Sequence, residues 1–239
     1  MRSFQVSLTA IFAALHTILY FMSFGLWRNW GIYLESTEGI ILGPKLGFAA
    51  ALIGSLIARI IRPDEFWMFG IIAEPVSVLA AGLLAKARWK PVLGLYAVTL
   101  LAYFIHPYGN PFGQGLPLWT ILDVLLAFLL IYPTAKLGGN LFNISFERLP
   151  IKIALISFVC IATDSLIRIF LLIPCGLYTL FTYFSTFESL YAIFVEAAAA
   201  SYIEDLIVVI VSFAVGVPLL ISLLKLRLLV SEQNVKHVK

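Results

Sequence analysis

The residues able to do chemistry in this chain are a few ionisable side chains lodged in long apolar stretches: Glu35, Glu38, Glu74, Asp123, Asp164, Arg168, Glu196, Glu204 and Asp205. In hydrocarbon each costs roughly 2.5–3.5 kcal/mol at a helix centre, so each is expected to face a partner or a watery hollow. Asp164 and Arg168 stand at i and i+4, on one helix face. They read either as an internal ion pair that lets the helix insert or as the polar wall of a ligand cavity. Glu35 and Glu38 share a face three residues apart, where two carboxylates repel unless a proton, cation or donor joins them. Glu74 precedes Pro75, where a helix bends and frees backbone carbonyls. Glu38, Glu74, Asp123, Asp164 and Arg168 are therefore the candidate polar contacts to a ligand. Trp119 and Tyr108, in and below the Gly- and Pro-rich loop 106–115, are candidates for ring stacking, the alternative being ordinary interfacial aromatics. The excess of carboxylates favours a ligand with a cationic or multiply donating group.

Catalytic constellations are missing. His16, His106 and His237 lie far apart in sequence, which argues against a histidine-rich metal site. There is no His-Glu-x-x-His pattern, no Gly-x-Ser-x-Gly elbow and no phosphate-binding Gly-x4-Gly-Lys-Ser/Thr loop. No cofactor and no metal is expected, and any ATP-driven step requires a separate subunit. Cys160 and Cys175 fit neither a zinc site nor a disulfide framework and read as small packing residues.

The elements that position these groups are membrane helices. The 239 residues are 62% apolar and 12% charged, with a mean hydropathy of +1.01; there is too little polar surface to cover a water-soluble body of this size. The net charge of +3 is spread over short loops, a pattern of membrane orientation and not of nucleic-acid binding. Apolar runs broken by Gly, Pro and charge predict spans at 4–25, 30–43, 46–61, 67–85, 91–107, 117–135, 151–174 and 203–226. The fold class is thus all-α, a polytopic transmembrane bundle of about eight spans, six to nine being the range the pattern allows. Gly43-Pro44 predicts a short helical hairpin over 30–61, the alternative being one kinked helix over 37–61. With eight spans and a cytoplasmic N-terminus, twelve of the sixteen Lys and Arg residues fall inside, which favours the hairpin and puts the C-terminus inside as well. Stretch 176–202 is expected to lie on the outer face, re-entrant or interfacial, before the last span. The first block is longer than a signal-peptide core and is expected to be retained. Residues 1–230 form one transmembrane domain, and 231–239 a polar tail.

Three segments carry a family resemblance. The first span contains Ala10 and Ala14 within LTAIFAALHTIL; residues 39–54 read GIILGPKLGFAAALIG; and 215–219 read VGVPL, followed by Lys225. Together they resemble the substrate-binding (S) components of energy-coupling factor (ECF) transporters, the vitamin importers, over 5–61 and again over 203–227. The family usually has six spans, so only Ala10 and Ala14 transfer by motif. The resemblance implies a cytoplasmic N-terminus, a site open to the outside, and docking through the first helix onto a T component that carries two ATPases.

The sequence reading is therefore a plasma-membrane subunit that binds a vitamin or cofactor precursor and is not itself an enzyme. Its rivals are an intramembrane Asp/Glu enzyme acting on a lipid, with Asp123 and Asp164 paired, and a ligand-free structural or assembly protein.

Overall fold

The computed structural model describes residues 2–22, 28–110, 113, 115–137, 139–143, 147–184 and 186–226. The predicted tail 231–239 lies outside the described residues. Every regular element among those described is helical: α1 (Arg2–Tyr20), α2 (Ile32–Ile61), α3 (Trp67–Ala85), α4 (Trp89–Ile105), α5 (Leu122–Lys136), α6 (Leu149–Leu172), α7 (Phe187–Val211) and α8 (Val217–Lys225). The bundle is inside out relative to a water-soluble protein. Leu129, Ile105 and Ile60 are 69%, 72% and 78% exposed, while His16, Glu35, Glu38, Glu74 and Asp164 are wholly buried. That distribution suits a hydrocarbon solvent, in which apolar side chains need no cover and polar ones must find partners inside.

The hairpin at Gly43-Pro44 is real. Gly43 has φ 76° and ψ 174°, a conformation that glycine adopts without strain, and Pro44 opens the second arm with its ring already set for a helix. The arms then pack so closely that a Cβ added to Gly47 would lie 3.3 Å from Gly39 Cα, eight residues earlier in the chain. In an unbroken helix those residues would be about 12 Å apart. The first arm, 32–42, is about 16 Å long, half a bilayer, and the second, 44–61, about 27 Å. Among the described residues the chain therefore passes along the bundle eight times, once at half length.

Side-chain bonds fix the directions. Tyr20, closing α1, donates to Arg62 O at 3.2 Å beyond the end of α2, so α1 runs parallel to the second arm. The first arm runs parallel to α7: Arg28 N donates to Glu204 at 3.0 Å, and the Ser36 and Ser212 hydroxyls meet at 2.9 Å. Lys152, buried at the start of α6, donates from Nζ to Leu137 O at 2.9 Å and also to Gly139 O, closing the end of α5. One face of the bundle therefore collects Lys45, Lys86, Arg88, Lys90, Lys136, Arg148 and Lys225. The opposite face carries the aromatic turns, with Phe66 against Phe181 at 5.0 Å and Tyr108 against Phe187 at 5.0 Å between ring centroids.

The last span departs from the sequence reading. Instead of an interfacial segment followed by a helix from 203, Phe187–Lys225 is one 39-residue helical run, about 58 Å long, with a wide turn at Ser212–Gly216. Only 177–184 forms the short turns of an outer segment. The early start has a local cause: Thr186 accepts from Ser189 N at 3.2 Å while Ser189 Oγ receives the Thr186 amide at 3.2 Å, a reciprocal cap that satisfies two end groups.

Candidate functional site

A cavity of about 240 Å³ opens among α3, α5, α6 and α7 in the half of the bundle nearer the aromatic face. Its walls are apolar: Phe66, Phe69, Leu172, Phe184, Leu190 and Phe194. Its floor is polar: Arg28, Asp123, Ser165, Arg168, Ser201 and Glu204. Pockets of this composition grip a ligand's apolar body and fix its orientation with a few convergent polar groups.

The floor is built on two arginines. Arg168 Nε donates to Asp164 Oδ2 at 2.7 Å across one helical turn, and Nη2 lies 3.5 Å from Glu74 Oε1. Arg28, on the segment entering α2, reaches into the bundle and donates to the hydroxyls of Ser165 at 2.9 Å and Ser201 at 2.5 Å. Its guanidinium also stands 3.3 Å from Glu204, 3.6 Å from Asp205 and 3.7 Å from Asp164. Asp123 enters from the first turn of α5, which starts late because Pro117 and a short turn at Leu118–Ile121 precede it.

Beneath the floor lies a second network centred on Glu74. Its two oxygens receive His16 Nε2 at 3.1 Å, Arg59 Nη1 at 3.1 Å and Nη2 at 2.6 Å, Asn29 at 3.3 Å, and the Ser55 hydroxyl. His16 Nδ1 meets Glu38 Oε2 at 3.1 Å, so one imidazole ties the hairpin to α3. Glu35 accepts from Ser77. Through Arg168, Glu74 joins this interior network to the cavity.

The candidates from sequence fall into three groups. Asp123 and Arg168 line the cavity, and Asp164 lies behind it as the partner of both arginines. Glu38 and Glu74 lie in the deeper network, reaching the cavity only through Arg168. Trp119 is 41% exposed with its carbonyl accepting from Tyr202, and Tyr108 packs against Tyr178 and Phe187; neither ring lines the cavity. Glu196 points outward, Cys160 is buried and Cys175 exposed. Among the described residues no group of three or more His, Cys, Asp or Glu side chains could hold a metal ion.

Sequence reasoning missed Arg28, Arg59 and His16. The two arginines sit near span ends, where a long side chain can snorkel outward as readily as curl inward. His16 did carry a signal, an imidazole in mid-span with no polar neighbour in sequence, which demands partners from other helices. Ala10 and Ala14 line a shallow surface groove with Ala13 and Thr17 on α1 and Leu46 and Ile53 on the second arm of α2.

Two known proteins are similar to the chain. One is an uncharacterized protein of Methanocaldococcus jannaschii, 25% identical over 135 residues, covering 56% of this chain and 44% of that protein. The other, from Pyrococcus horikoshii, is described as a probable biotin transporter BioY, 28% identical over 165 residues, covering 59% of this chain and 99% of that protein. The chain thus spans less than half of the first relative and nearly all of the second. No protein-family profile and no solved structure matches it.

Proposed function

We propose that this chain is the membrane-embedded capture subunit of an uptake system for a vitamin-like small molecule. The observation that carries the reading is the cavity, apolar in its walls and charged in its floor, set in one half of the membrane bundle. Similarity to a probable biotin transporter supports it at the level of vitamin uptake and speaks against an enzyme. The basic face is the cytoplasmic one, which leaves both chain ends inside and the cavity facing out. An ECF arrangement follows as the finer reading: a T component docks on the Ala10/Ala14 groove, and two ATPases supply the work that no phosphate-binding loop in this chain performs. Residues 1–230 then act as one domain. Asp123 and Arg168 contact the ligand directly, Asp164 and Glu74 hold Arg168 in place, and Glu38 steadies the interior through His16. Trp119 and Tyr108 support the outer rim.

The test is equilibrium binding of biotin, and then of the other vitamins, to the purified chain in detergent. One vitamin is expected to bind one-to-one with Kd of about 1 μM or below, near −8 kcal/mol. In cells, Ala10→Leu with Ala14→Leu should abolish uptake while leaving binding intact. A blank across the panel would defeat the reading.

A further inference from the structure

The floor of the cavity is unbalanced in both charge and hydrogen bonding. Two cations, Arg28 and Arg168, stand among four carboxylates: Asp123, Asp164, Glu204 and Asp205. Glu74, the remaining acid within reach of Arg168, is already matched by Arg59 and bonded to His16. The adjoining stretch 23–27 contains no basic residue that could make up the difference. Hydrogen bonding shows the same asymmetry. Asp123 Oδ1 and Asp164 Oδ1 are buried without a donor, Glu204 Oε2 has only the Arg28 guanidinium at 3.3 Å, and Asp205 has Arg28 Nη1 at 3.6 Å and the Asp123 carboxyl beside it. Asp123 and Glu204 line the cavity while only 7% and 1% exposed, so water outside the bundle does not solvate them. Four carboxylates sharing two guanidinium groups at this depth are strongly disfavoured, and a donor that arrives with a positive charge relieves the surplus best.

We infer that the ligand enters head first, with a cationic group bearing several N–H donors, such as an amidinium or a protonated amino-heterocycle, seated against Asp123 and Glu204. Its apolar or aromatic body lies among Phe66, Phe69 and Phe194. Arg28 then holds Glu204 and Arg168 holds Asp164 in place. This assignment rests on the capture reading above and adds the chemistry of what is captured.

Two probes with the same ring and opposite heads test it: benzamidine and phenylacetate, each added at about 20 mM to the purified full chain in detergent. Benzamidine should raise the unfolding temperature by about 4 °C or more, and phenylacetate should not. Asp123→Asn, which keeps the side-chain shape, should remove most of the benzamidine shift, and so should Glu204→Gln if the first variant does not fold. Equal or greater stabilisation by phenylacetate overturns the head-group assignment, and so does no shift with either probe. Vitamin binding in the same preparation decides separately whether the capture reading survives.

Discussion

Glu74 is where the interior is most sensitive to a change of charge, and Glu74→Gln is the perturbation that exposes it. The two carboxylate oxygens share His16, Ser55, Asn29, Arg168 and two arms of Arg59, every one a donor. Glutamine keeps the shape but turns one acceptor into an NH2. Whichever way the amide rotates, that NH2 faces donors: Arg59 and Asn29 on one side, His16 and Ser55 on the other. The loss is that of breaking one partner of a buried ion pair, about 3–5 kcal/mol. Arg59→Met should fall in the same range, because it strands the Glu74 charge. Changing both to Met removes the pair and leaves His16 with Glu38 and Arg168 with Asp164. The double variant should therefore be at least about 2 kcal/mol more stable than the sum of the singles predicts. Reversible unfolding by SDS in mixed micelles, followed by tryptophan fluorescence, measures all three. Single losses below about 1 kcal/mol, or strictly additive ones, would refute the idea that Glu74 is the charge hub.

Other predictions follow from particular contacts. Gly43→Ala forces a Cβ into positive φ and should lower stability by about 1–2 kcal/mol in the same titration, whereas Gly94→Ala, whose added Cβ would meet nothing within 4 Å, should not. Lys152→Met leaves the Leu137 and Gly139 carbonyls without a buried donor and should cost about 1–3 kcal/mol; an unchanged unfolding midpoint would contradict that role. Thr186→Ala removes a reciprocal cap and should cost about 1 kcal/mol, seen as faster hydrogen exchange over 187–191 with the rest of the helix unaffected.

The bilayer explains why so much of the fold was legible. Spans declare themselves by length, and a Gly-Pro pair between two short apolar runs leaves the chain few options besides turning back. The Asp164–Arg168 pair was readable because helical geometry alone brings i and i+4 together. The assembled site was not readable, because its partners are 45 to 176 residues apart: Arg28 with Glu204, Glu74 with His16 and Asn29. An arginine at a span boundary looks alike in sequence whether it turns to lipid headgroups or into the bundle, so nothing in the sequence marks Arg28 and Arg59 as interior. The length of the last helix was hidden by the Phe- and Tyr-rich run before it, although Thr186 with Ser189 offered the start signal.

The account depends most on the cavity being open to the cell exterior and filled by the transported molecule. In a Cys175→Ser background, Ile193→Cys places one thiol in the cavity wall. A membrane-impermeant thiol reagent added to intact cells should label it, and the vitamin that binds the purified chain should block that labelling. Labelling only after the cells are permeabilised, or labelling that this vitamin leaves untouched, would contradict the account.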